Sequence, residues 1–132
     1  MKTKPVLTLE DAKRIAAASE AEAQRNHWNV VIAICDDGGH LVLLHRLDGV
    51  APISSTIAPA KARAAALGKR ETKVYEDMIN QGRAAFLSAP LDGMLEGGVP
   101  IIVDGEVIGA IGVSGVKSSE DAQVAKAGIT AL

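Results

Sequence analysis

Trp28, Tyr75 and Phe86 are the only aromatic residues of the 132-residue chain, so neither a base-stacking platform nor an aromatic cage for a cation can be assembled. The single cysteine, Cys35, excludes an intramolecular disulfide. Set inside an apolar run, it reads as a small buried hydrophobe suited to a reducing cytoplasm. Charge of one sign is lacking too. Lys and Arg total 14 against 16 Asp and Glu, a net charge of −2, with no run that would mark a nucleic-acid or membrane footprint. No uninterrupted apolar stretch approaches the roughly 20 residues of a membrane span. Met1-Lys2-Thr3-Lys4-Pro5 leads into no apolar segment of a secretory signal. These absences predict a soluble cytoplasmic protein with no nucleic-acid and no membrane partner. The length fits one domain over residues 1–132.

What the chain does hold is small aliphatic residues. Alanine occurs 22 times, while valine, isoleucine and leucine occur 12, 11 and 11 times. Such a composition suits helices laid close on a flat sheet. Thr8-Leu9-Glu10-Asp11 has the form of a capping box and predicts a helix from about Thr8 to Asn26, with Leu9, Ala12, Ile15, Ala16, Ser19 and Ala23 on its inner face. Val30 to Ile34 reads as a strand, and Asp36-Asp37-Gly38-Gly39 turns it into a second, Leu41 to Leu44. A helix is expected from Ser54 or Ser55 to Leu67, with Pro59 in or just past its first turn and Gly68 as its stop. Thr72 to Asn80 predicts a short helix, and Gly82 to Gly98 an irregular segment with one helical turn near Arg83 to Leu87. Pro100 to Val103 and Glu106 to Val113 form a hairpin around Asp104-Gly105, the pair a type I′ turn prefers. Ser118 or Ser119 would cap a last helix carrying Ala122, Ala125, Ile129 and Leu132 inward.

Several strands are apolar at consecutive positions, which in an antiparallel sheet requires cover on both faces. Another subunit could supply part of that cover.

The chemistry-bearing residues are few. His40 and His45, five apart on one strand, point to opposite faces, and no His-x-x-His or Cys-x-x-Cys occurs, so no metal site is predicted. A single imidazole suffices as an axial haem ligand. Gly109 to Ser118 fails both nucleotide patterns: Val116 stands where a P-loop needs glycine, and Ala110-Ile111 break the dinucleotide fingerprint. Its Gly112, Ser114 and Gly115 remain candidates for holding a carboxylate ahead of a helix N-terminus, or for close packing. Arg46 and Lys61 are candidate cations for a propionate or small organic acid. His45 and Asp36 are the candidates for moving a proton.

Asp36-Asp37-Gly38-Gly39-His40-Leu41, Arg46-Leu47-Asp48-Gly49-Val50, Ala60-Lys61-Ala62-Arg63-Ala64-Ala65, Gly97-Gly98-Val99-Pro100-Ile101 and Gly105 to Gly115 occur in that order. Together they resemble the GlcG/HbpS-like family, the haem-degrading domain also found at the C-terminus of PduO-type cobalamin adenosyltransferases. The resemblance runs from Leu9 to Leu132. It implies a profilin-like α/β (α+β) fold, an α-β-α sandwich with a mostly antiparallel sheet, and a homo-oligomer of up to eight subunits. It also implies haem as cofactor, with His27 as axial ligand ahead of His40 and His45, Arg46 and Lys61 as propionate partners, and an activity that extends to weak haem degradation. The alternative it leaves open is an enzyme or accessory protein of small organic-acid catabolism, encoded in a glycolate-type operon, that binds a carboxylate metabolite.

Overall fold

The computed structural model describes residues 1–132. Thr8 caps the first helix as the sequence predicts: its Oγ1 accepts the Asp11 N–H at 3.1 Å, and the Asp11 carboxylate accepts the Thr8 N–H at 2.9 Å. Helix α1 spans Leu9–Arg25 and buries Ala12, Ile15, Ala16, Ser19 and Ala23, whereas Leu9, at the very start, is left half exposed.

Strands β1 (Val31–Asp36) and β2 (Leu41–Arg46) follow as a hairpin. Asp36 builds its turn, its Oδ1 accepting the N–H groups of Gly38 and His40, both at 2.9 Å. Helix α2 (Ser54–Gly68), helix α3 (Lys73–Asn80) and a 3₁₀ turn, Ala84–Ser88, lead to β3 (Gly98–Val103), β4 (Glu106–Ser114) and α4 (Ser118–Ile129). Asp104 and Gly105 both take positive φ, +51° and +77°, the geometry a type I′ turn demands.

The four strands form one antiparallel sheet in the order β2-β1-β4-β3. Val30, Ile32 and Ile34 pack toward α1 and α4; Val31, Ala33 and Cys35 pack toward the alanines of α2. One chain therefore covers both faces of the central strands, which explains their unbroken apolar sequences. Ile102 on one edge strand and Leu41 on the other stay more than half exposed.

Two local expectations are corrected. Gly68 does not stop α2: Lys69 takes the left-handed position, at φ +56°. Gly68 lacks a side chain for another reason, since a Cβ there would stand 1.5 Å from the Tyr75 hydroxyl. The start of α2 at Ser54 is as expected. Ile53 is its N-cap and makes no side-chain capping bond; the N–H groups of Ser54, Ser55 and Thr56 are bonded three residues back to Ala51, Pro52 and Ile53, and Pro59 lies just past the first turn, again as expected. In α4 acids do the capping: Glu120 accepts the Lys117 N–H at 3.3 Å and Asp121 the Val116 N–H at 3.1 Å.

Candidate functional site

The C-terminus of α1 is closed by a Schellman motif, with the Trp28 N–H bonded to Ala23 O at 2.9 Å and the His27 N–H to Gln24 O at 3.1 Å. This puts His27 in the left-handed position, φ +58°. Its ring is exposed and makes no hydrogen bond, while Trp28 packs against the core. Gln24, His27, Trp28, Asn29, Leu47 and Asp48 line a concavity of about 390 Å³ between the end of α1 and the chain leaving β2.

The same seam continues up α1. His45 pairs with Ile32 across the hairpin, so it shares the α1 face with Leu43, two residues before it, and with Leu47, two residues after. All three are half-buried. The Nδ1 of His45 is hydrogen-bonded to the Glu20 carboxylate of α1. The two side chains are 42% and 28% exposed, so the pair is open to solvent on one side. The sequence reading singled out His45 but missed Glu20, because 25 residues separate them and only the packing of α1 on β2 brings them together.

The other candidates lie elsewhere. Register places Arg46 opposite Val31, on the α2 face of the sheet, away from Leu47 and the His27 concavity. Lys61 is 2% exposed: its Nζ donates to Val113 O at 2.9 Å and to the Asp121 carboxylate at 3.0 Å. Gly97 makes room for it, since a Cβ there would meet Lys61 Nζ and Val113 O, each at 2.8 Å. Burial pushes the Asp121 carboxyl above its usual value, with the Lys61 ammonium pulling the other way. Lys61 is thus a tie between α2 and α4 instead of a surface cation, which corrects the expectation drawn from its sequence context.

Space at Gly112 is filled. A Cβ there would lie 2.2 Å from Ala58 O and 2.5 Å from Ala62 N, so the glycine lets the backbone of α2 rest on β4. Ser114 is buried and 3.1 Å from the Ser54 hydroxyl, and a Cβ on Gly115 would stand 2.5 Å from Asn29 O. Of the two meanings open to this glycine run, close packing is the one the geometry supports.

Asp36 is committed to its own turn, where the His40 N–H above all, with the His40 ring and the Gly38 N–H, holds its carboxyl below the usual range. Burial pushes the Cys35 thiol up to about 12, which makes it an inert core residue. No group of three or more His, Cys, Asp or Glu is placed to hold a metal ion, and no helix is long and apolar enough to cross a membrane.

Comparison with known proteins adds what geometry alone does not. The family described as haem degrading protein HbpS-like matches residues 7–130. Protein GlcG of Escherichia coli (strain K12) is 59% identical over 114 residues, 86% of this chain and 85% of that one. The crystal structure of a PduOC:heme complex is 27% identical and covers 97% of this chain and 96% of its own, with a TM-score of 0.87. A double mutant of Streptomyces reticuli HbpS is 28% identical, covering 100% of this chain and 90% of its own, with a TM-score of 0.89.

Proposed function

We propose, from the premise that the chain belongs to the HbpS-like family of haem-degrading proteins, that it binds haem along the seam between α1 and β2. The observation that carries this reading is the placement of two imidazoles, His27 and His45, along one half-buried apolar strip formed by Leu43, Leu47 and Trp28. The donor set suits a porphyrin: nitrogen for iron, and aliphatic and aromatic carbon for the ring face. Haem, when bound, supplies an iron centre for ligand or electron exchange. The chain's own groups supply attachment and exclude water from one face.

The full reading is a cytoplasmic homo-oligomer that also degrades its haem slowly when given dioxygen and a reductant. The unpaired, buried thiol is in keeping with a reducing compartment. Support for self-association comes from a second concavity, of about 460 Å³, where Ile79, Leu87, Leu91 and Leu95 lie open beside α3. Leu87 is 63% exposed there.

The small-acid alternative has less on its side. α2 fills the space at Gly112, Asp36 is held in a turn, and Arg46 lies on the other face of the sheet. What it keeps is His45 beside Glu20.

Titration of the purified chain with haemin tests the proposal. A saturable Soret band at one haem per subunit, or per pair, is the expected result, with His27→Ala reporting on the ligand expected from sequence. A weak, unsaturating rise would overturn it.

A further inference from the structure

A strand at the edge of a sheet turns every second N–H and C=O away from its neighbour, and those groups are either covered, blocked or open to another chain. The two edges of this sheet differ in that respect. On β3, Gly98 keeps its outward groups inside the molecule: its N–H donates to Thr72 Oγ1 at 2.8 Å and its carbonyl accepts the Thr72 N–H at 3.0 Å. Pro100, two residues on, has no N–H to give, and the ladder slips between Ile101 and Ile102. That edge is closed to a further strand.

On β2 the edge is open. The Leu47 N–H bonds to Val30 O at 3.0 Å, which makes His45 and Leu43, two and four residues back, the positions that bond to β1. Leu44 and Arg46 stand between these, opposite Ala33 and Val31, and direct their N–H and C=O groups outward. No turn, loop or cap hydrogen bond takes up those four groups. The strand, Leu41–Arg46, contains neither proline nor lysine to deter a partner.

We propose that the β2 edge pairs with β2 of a second copy of this chain, antiparallel about a two-fold axis at His45. The inference rests on the self-association read above and names one surface that makes it. Three registers would satisfy the outward groups. An axis at Leu44 brings Arg46 against Val42, the residue the hairpin ladder passes over between Leu43 and Leu41, and an axis at Arg46 sets two guanidiniums face to face. The axis at His45 avoids both. Leu44 then exchanges two hydrogen bonds with Arg46 of the partner subunit, and Arg46 two with the partner's Leu44.

A foreign peptide would match the four backbone groups equally well. What favours a second copy is that this segment, read in reverse, matches itself. On the α1 face Leu43 meets the partner's Leu47, and the half-buried apolar strips of the two copies become one. The opposed His45 rings each stay beside their own Glu20 carboxylate, so charge there remains balanced. On the α2 face the aliphatic stem of Arg46 covers the partner's Leu44.

Sedimentation equilibrium of the full chain, hydrogen exchange and cysteine trapping test this. The parent is expected to associate, with the Leu44 and Arg46 amides protected from exchange in the associated form. In His45→Cys two thiols face each other across a non-hydrogen-bonded pair, about 4.5 Å between Cα atoms and within disulfide reach. Oxidised glutathione is expected to link them, being reduced to two glutathione thiols as the disulfide forms. Ile102→Cys, on the closed edge, stays unlinked, and Cys35 is buried. Arg46→Pro removes one outward donor from each copy while sparing every bond to β1, and is expected to weaken association about tenfold or more. Circular dichroism verifies its fold, and trapping of His45→Cys decides the matter should the proline variant unfold.

An associated parent whose His45→Cys links no faster than Ile102→Cys overturns the proposed edge, as does folded Arg46→Pro with unchanged affinity. A parent monomeric at every concentration overturns the self-association reading as well, and leaves the edge to a strand of another protein.

Discussion

Lys61 illustrates at the residue scale how one contact changes the meaning of a side chain. On an alanine-rich helix a lysine reads as solvated charge, yet here it runs past Gly97 to meet Asp121 across the fold, both side chains 3% exposed. Truncating one partner of such a pair strands a buried charge. Lys61→Met is expected to lower stability by about 3–5 kcal/mol in urea unfolding. The double variant Lys61→Met, Asp121→Leu should recover much of that loss, because no charge is then left unpaired. A double variant no more stable than the single would show that the tie contributes shape and not charge.

Packing of elements turns on glycine at one point above all. α2 has a row of alanines for β1 and β4, and Gly112 is where its backbone comes closest to the sheet. Gly112→Ala would place a methyl group against Ala58 O and the Ala62 N–H, neither of which can move without the helix. A loss of about 2 kcal/mol or more is expected, well beyond the glycine-to-alanine gain of an unconstrained strand position. Calorimetric melting checks it. A neutral or stabilising result would mean that α2 sits further from β4 than described. The alanine content and the apolar strands made this layer legible from sequence; the need for glycine at 112 was open, because the same residue serves a packed helix or a bound carboxylate.

For the whole molecule, pH is the broadest lever. Asp36 is held below its usual value chiefly by the His40 N–H, Asp37 by Lys4, Asp11 by the Thr8 N–H and Glu22 by Gln123. Carboxyls lowered in the folded state stabilise it above their unfolded values, and that contribution is lost as pH falls through the lowered ones. Asp121, raised by burial, has the opposite sign: its contribution is complete at low pH and lost as pH climbs through its raised value. Four against one, the melting temperature is expected to fall as pH drops from about 5 to about 3. Asp36→Asn should flatten part of that slope. A melting temperature rising over the same interval would contradict this balance.

Sequence by itself determined the local elements, the antiparallel hairpins and the family, because caps, Asp-Gly turns and unbroken β-branched runs act over a few residues. It also holds no His-x-x-His or Cys-x-x-Cys pair. Tertiary structure decided the surroundings of each candidate residue. Whether a histidine is an idle surface ring or one held by a carboxylate depends on a partner 25 residues away, and whether a lysine is free depends on one 60 residues away. Such pairings follow from how helices settle on the sheet. That settling is governed by side-chain volume across the core, which no local pattern records.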